Sequence, residues 1–312
     1  MNWIVYWVGR AVIGFVQWFP LSWVARAGRA VGAAGWWVDR RHRTVALDNL
    51  TAAFGTEKSP AEIRAIAREN YLRLAENYLS LLKIGGMSDA EIGRHMEWSG
   101  LERLQRPDGR VGVIVIGHFG NFELFGRLPS QLPDNHPPQT FVTSYRALQQ
   151  PALNALLQDL RRRAGAHFFE RRTEAELLKQ ALAGARTWLV LLADQHAGDR
   201  GVWLPLLGRE CSCSASPAVF ALRHRRPLIT AICYRTGRVR WRLEIGEWIS
   251  ETENGRRRTI ESITREINNR FESAIRRDPA NWFWVHRRWK PSSGRQRISS
   301  PDAAFASESP SP

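Results

Sequence analysis

Cysteine is nearly absent from this chain of 312 residues: the three, Cys211, Cys213 and Cys233, carry no paired CxxC spacing. Neither a disulfide framework nor a cysteine-based zinc site is suggested, which fits reduced thiols facing a cytosol. Long apolar runs are lacking as well. Residues 2–38 are rich in Trp, Val, Ile, Phe and Ala, yet Arg10, Pro20, Arg26 and Arg29 interrupt them and leave 11–25 as the longest uncharged run, short of the ~20 residues of a simple membrane span. There is no Gly-x-Ser-x-Gly elbow of a serine hydrolase, no glycine-rich P-loop and no His-Glu-x-x-His helix of a zinc protease. Helix-turn-helix, zinc-module and ribonucleoprotein-type aromatic signatures are missing too, so nucleic acid is set aside as a partner.

Acidic residues are in deficit: 30 Asp and Glu against 45 Lys and Arg give a formal net charge of +15. Such a surface favours anionic partners, whether phosphate-bearing lipids or an acidic carrier protein. What the chain does have is 14 Trp, and indole rings prefer the boundary between membrane and water. Residues 1–38 are therefore expected to be a tilted or monotopic membrane anchor. A full span with Arg10 and Arg26 snorkelling to opposite interfaces is the alternative, and an ordinary helical hairpin is the bland one. The stretch is too long and too dotted with arginine for a signal peptide. The basic cluster Arg40, Arg41, His42 and Arg43 would lie on the cytoplasmic side, which places the chain that follows it in the cytoplasm.

The remaining length suits one large domain, expected over 39–290, with a Ser-, Pro- and Arg-rich disordered tail at 291–312. Apolar positions at helical spacing predict a long amphipathic helix over 60–82, ended by Gly85 and Gly86. Thereafter strands predicted at 111–117, 140–145, 187–193, 227–234 and 240–246 alternate with helices at 120–131, 151–164, 174–183, 215–224 and 258–277. This alternation argues an α/β layered fold with a mostly parallel sheet. Ligands of such sheets bind at the carboxyl ends of the strands, where His118 and Asp194 both fall.

The richest stretch is 111–123, in which an apolar run delivers His118 and Glu123 to one locality. Five residues of continuous helix would turn the two side chains roughly 140° apart. A shared site therefore requires His118 before the helix and Glu123 in its first turns, with Gly117 and Gly120 permitting the tight approach. A carboxylate bonded to one imidazole nitrogen fixes the tautomer and raises the basicity of the other, which then removes a proton from an incoming hydroxyl. The competing reading is a surface pair or a satisfied buried histidine.

The wording Gly-His-Phe-Gly-Asn-Phe-Glu resembles the His-x4-Asp/Glu signature of the lysophospholipid acyltransferase superfamily, and looks most like its branch of bacterial lipid A late acyltransferases. Three further stretches in the same order carry the resemblance from about residue 10 to about residue 290. It implies a layered α/β acyltransferase fold and an O-acyl transfer from an acyl carrier protein thioester to a hydroxyl of an anionic lipid, the lipid A precursor first. A lysophospholipid or glycolipid acceptor, or a non-catalytic scaffold of the same fold, is the alternative. His118 would be the general base and Glu123 its orienting partner, at the inner membrane surface and without cofactor or metal. A metal site of His118, Glu123 and His196 is the rival arrangement.

Other residues enter by the same resemblance. The family has a Tyr-Arg pair like Tyr145-Arg146, a later proline like Pro151, and a functional arginine near the end of the following helix. Counting without a gap from Arg146 puts that arginine on Arg161, while Arg163 also matches a basic position and Arg162 stays open. Such guanidinium groups would neutralise a phosphate or an oxyanion, the plain alternative being a solvated arginine face. Asp194-Gln195-His196 resembles an Asp-Gln-Asp turn with its third acid replaced, and Asp194 would orient Arg161 or cap a turn. Residues 201–208 and 212–217 resemble a family stretch and its hydroxyl-rich turn, read as capping. In residues 284–290 (Trp-Val-His-Arg-Arg-Trp-Lys), His286 and Arg287 would face either the site or lipid headgroups.

Overall fold

The computed structural model describes residues 2–105, 109, 111–132, 139–184 and 186–292. The predicted tail from residue 293 onward lies outside them. Helices α1 (Trp3–Gln17) and α2 (Leu21–Val38) follow one another across a short turn, and α3 (Arg40–Phe54) leads into the long α4 (Pro60–Ile84). A capping box starts α4: Ser59 accepts from the Glu62 N–H while Glu62 reaches back to the Ser59 N–H, and Pro60 occupies the first turn. After the short α5 (Asp89–Gly93) come β1 (Met96–Ser99), β2 (Val113–Ile116), β3 (Thr140–Tyr145), α6 (Pro151–Arg161), β4 (His167–Glu170), α7 (Ala175–Leu182) and β5 (Thr187–Leu192). The hairpin β6 (Val202–Leu206) and β7 (Arg209–Cys213), α8 (Ser216–His224), β8 (Leu228–Gly237), β9 (Arg240–Ile249) and α9 (Ile260–Arg277) complete the core elements.

Seven strands form one sheet in the order β1-β9-β8-β2-β5-β3-β4. All neighbours run parallel except β8 and β9. The fold is therefore α/β with a mostly parallel sheet. β2 is buried along its whole length between β8 and β5, which is why its sequence is an unbroken apolar run and not an alternating one. Buried clusters pack against both faces.

Three local expectations need correction. Strands β1 and β4 and the β6–β7 hairpin were not anticipated; the hairpin turns through Leu207 and Gly208, both at positive φ (51° and 72°), as a two-residue turn requires. The predicted helix at 120–131 is instead a 3₁₀ helix, Phe122–Gln131, with Pro129 inside it. Its tighter winding changes where Glu123 points. Third, Arg29 does not interrupt an apolar face: it turns inward and pairs with Glu69 (2.9 Å) and with the buried Glu76 (3.3 Å), which Arg235 of β8 also reaches at 3.2 Å.

Helices α2 and α4 cross closely. A Cβ at Gly28 would meet the Ala75 carbonyl at 2.8 Å, and one at Gly32 the Tyr71 carbonyl at 2.6 Å. Helix α2 is thus packed onto α4, while Trp3, Trp7, Val8, Phe15, Trp23 and Trp37 face outward. Among the described residues no helix is long and apolar enough to cross a membrane.

Candidate active site

Strand β2 ends at Ile116, and the chain turns sharply so that His118 stands over the carboxyl edge of the sheet. Gly117 allows this, because a Cβ there would come within 2.7 Å of the Phe119 ring and 3.1 Å of the Asp194 carboxyl carbon. Asp194 follows the neighbouring strand β5 and is buried. Its Oδ1 lies 2.8 Å from His118 Nδ1, and its Oδ2 accepts from the His118 backbone N–H at 2.7 Å and from Trp282 Nε1–H at 2.8 Å. A carboxylate only accepts, so Nδ1 carries the proton and Nε2 is left as the basic nitrogen. Burial pushes the Asp194 carboxyl up, but the His118 charge and these hydrogen bonds outweigh it and hold it below the usual range.

The imidazole is wedged between Phe122 (ring centroids 4.7 Å) and Phe283 (5.5 Å). Gln195 Nε2 stands 3.4 Å from His118 Nε2, at the outer limit of hydrogen bonding.

Glu123 does not hold the imidazole. It forms a two-point pair with Arg161: Nε donates to Oε2 at 3.1 Å and Nη2 to Oε1 at 2.6 Å. The reason is the 3₁₀ winding after Asn121, which directs Glu123 toward the end of α6. Asp194, expected to orient Arg161, takes the orienting position beside His118 instead. Arg161 also stacks over Phe168 (4.5 Å) and Tyr145 (5.4 Å), and its buried Nη1 has no partner among the described residues.

The run at 161–163 divides by geometry. Arg162 is exposed and pairs with Asp159, and Arg163 donates to the Gly86 carbonyl at 3.2 Å, away from the site. Arg146 lines a polar recess with Asn154, Glu170 and Arg172 that adjoins the site through Tyr145.

The segment after α9 supports the dyad from beneath. His286 Nε2 accepts the His196 backbone N–H at 3.1 Å, and burial lowers its pKa to about 4, so the ring is neutral and structural. Asn49 donates to the carbonyls of Trp284 and His286, both at 2.7 Å, and Arg287 is exposed. The residues that sequence reasoning passed over are Trp282 and Phe283, whose only signal is an aromatic cluster ahead of the quoted Trp-Val-His-Arg-Arg-Trp-Lys run, and Asn77, Tyr78 and Asn121. Among the described residues no group of three or more His, Cys, Asp or Glu is placed to hold a metal ion, and His196 and Glu123 do not converge.

Two cavities flank the dyad. One is a narrow apolar cleft of about 40 Å³ lined by Ile116, Phe122, Tyr145, Arg161, Phe168 and Leu192. The other, about 20 Å³, is lined by Leu74, Asn77, Tyr78, His118, Asn121 and Phe283. Phe122 and Glu123 border both, whereas His118 borders only the second. A carboxylate-backed imidazole beside an apolar slot and a guanidinium is suited to acyl transfer to a hydroxyl.

The family description "bacterial lipid A biosynthesis acyltransferase" matches residues 1–291 of the chain. The chain belongs to that family. It is an acyltransferase. A curated relative, the phosphatidylinositol mannoside acyltransferase of Mycolicibacterium smegmatis (strain ATCC 700084 / mc(2)155), is 23% identical over 253 residues, covering 77% of this chain and 77% of that protein. The match starts at residue 1, so the family pattern takes in the amino-terminal helices along with the sheet that carries the dyad.

Proposed function

We propose that this acyltransferase moves a fatty acyl group from an acyl carrier protein thioester to a hydroxyl of a lipid A precursor at the cytoplasmic face of the inner membrane. The observation that carries the reading is the His118–Asp194 dyad. The acceptor O–H loses its proton to His118 Nε2 as its oxygen attacks the thioester carbonyl. Asp194 stabilises the imidazolium, and Arg161, through the Nη1 donor that has no partner, stabilises the oxyanion. Collapse of the tetrahedral intermediate breaks the C–S bond, and the departing thiolate takes the proton from His118. Glu123 fixes the Arg161 fork. No covalent acyl-enzyme is needed.

The family supports the lipid A acceptor, and the relative's name supports a glycolipid as the second reading. The outward aromatic face of α1 and α2 supports attachment at the membrane interface, with residues 1–38 as the anchor. The charge of +15 supports an acidic carrier as donor. Arg146, at the end of β3, would receive the donor's phosphate.

The test is acylation by the purified full-length protein, read by mass spectrometry. Dodecanoyl acyl carrier protein with a lipid A precursor should add one dodecanoyl chain. Transfer to lysophosphatidylglycerol alone would overturn the acceptor. Equal kcat/KM and equal salt dependence for the carrier and coenzyme A thioesters would overturn the donor, because only an acidic protein is steered strongly by the basic surface.

A further inference from the structure

Of the two cavities beside the dyad, His118 lines one. The apolar cleft does not include it, and the second cavity does. That cavity, about 20 Å³, is close to the size that holds a single water or hydroxyl group. Its polar lining is unfinished. Asn77 and Asn121 are each buried by nine-tenths or more, and Asn77 Oδ1 and Asn121 Nδ2 have no hydrogen-bond partner among the described residues. Tyr78, next to Asn77 on α4, lines the same space and brings a hydroxyl able to donate. Orphaned buried amides are costly in a folded protein unless a ligand completes them.

The chemistry of the gap narrows what fills it to a group that both donates and accepts, a water or an alcohol. A carboxylate or phosphate oxygen only accepts, and an ammonium only donates. A primary amide offers both, and two of them face a volume of one hydroxyl. An alcohol oxygen accepts from Asn121 Nδ2 while its single proton, held by Asn77 Oδ1 on arrival, passes to His118 Nε2 as the oxygen attacks.

We infer that Asn77, Tyr78 and Asn121 form the seat of the acceptor hydroxyl, with the thioester arriving from the opposite side of the Phe122–Glu123 partition. This rests on the acyl-transfer reading above and adds on which side of the Phe122–Glu123 partition each substrate sits. Asn77 and Tyr78 are then positioning residues on α4, the helix onto which α1 and α2 both pack. The lipid acceptor then enters from the side of α1 and α2, and the donor over the ends of β3 and β4.

The experiment compares two reactions of the full-length protein in detergent micelles: dodecanoyl transfer to a lipid A precursor, and hydrolysis of the same dodecanoyl thioester by water. Asn77→Leu and Tyr78→Phe should each lower the ratio of transfer to hydrolysis by about tenfold, the scale of one lost hydrogen bond, and raise KM for the acceptor but not for the thioester. An unchanged ratio in both variants, or a rise in thioester KM instead, overturns the assignment. So does an equal loss of both reactions in both variants, since the defect then lies in folding or in the base. Tyr78 is half exposed, so its variant stays informative if Asn77→Leu fails to fold. Absence of both reactions in the unaltered protein would instead count against the acyl-transfer reading itself.

Discussion

Asp194 holds His118 at two points, one carboxylate oxygen 2.8 Å from the ring Nδ1 and the other 2.7 Å from the backbone nitrogen. The double attachment fixes both the tautomer and the position of the ring, since neither the side chain nor its backbone can move without breaking a charge-assisted bond. Trp282 occupies the remaining side of Oδ2. The arrangement is pre-organised in the manner that favours proton transfer over a narrow range of geometries.

The dyad should fail as a unit. His118→Ala is expected to lower kcat by at least about a hundredfold, the scale of a general base, and Asp194→Asn to follow it. The double variant should be little worse than the worse single one, because both act on one step. Additive losses in steady-state kinetics would separate the two residues.

Glu123 and Arg161 should be coupled to each other and separable from the dyad. Breaking a pair this shielded by removing one partner costs about 3 kcal/mol, so Glu123→Gln should lower the urea midpoint and Arg161→Ala should remove most activity. Arg162→Ala and Arg163→Ala, on the exposed side, should stay within about 0.5 kcal/mol of the parent. Equal effects at all three arginines would return the run to a solvated face.

Membrane attachment should depend on the outward aromatics and not on charge alone. A triple variant Trp3→Ser, Trp7→Ser, Phe15→Ser should keep its circular dichroism and lose binding to anionic vesicles at high salt, where apolar contact persists and ion pairing is screened. Deleting residues 1–38 is a poorer test, since it strips α2 from α4 and leaves Glu76 without Arg29. Salt-released full-length protein would contradict the anchor.

Cys213 should make stability depend on pH. Its thiol is held below the ordinary value by the Cys211 contact and, despite burial, by Arg288 and Asn268, whose nitrogens lie 3.2 and 3.1 Å from Sγ. A group whose folded pKa is depressed contributes in full above its unfolded value, ~8.5 for a thiol, and its contribution is lost as pH falls through the folded value. Cys211 is pushed up instead, so below that pH it is neutral in both states and adds no slope. Urea unfolding of the parent should therefore weaken on acidification from about pH 8.5, and Cys213→Ala should be less stable with a flatter profile. Identical slopes would show that Cys213 is a neutral thiol.

Short-range pattern was enough to find the layered α/β fold, because buried parallel strands must be continuous apolar runs and amphipathic helices must repeat every three to four residues. It also sufficed to bring His118 and Asp194 to the same edge, since both follow such runs directly. Arg161 came from the family resemblance, by counting from Arg146 to an arginine near the end of the following helix. What no local pattern contained was the choice of carboxylate. His118 and Glu123 are five residues apart in sequence, His118 and Asp194 are 76, and only the adjacency of β2 and β5 in the sheet makes the distant pair the nearer one. The 3₁₀ turn then sends Glu123 to Arg161. Arg29 follows the same logic: by composition it interrupts an apolar stretch, and only the packing of α2 on α4 shows that it neutralises a buried glutamate. Sequence by itself determined which residues could do chemistry and on which elements they sit. Tertiary structure decided their partners, because a hydrogen bond is specified by ångström distances that strand order, and not chain separation, controls.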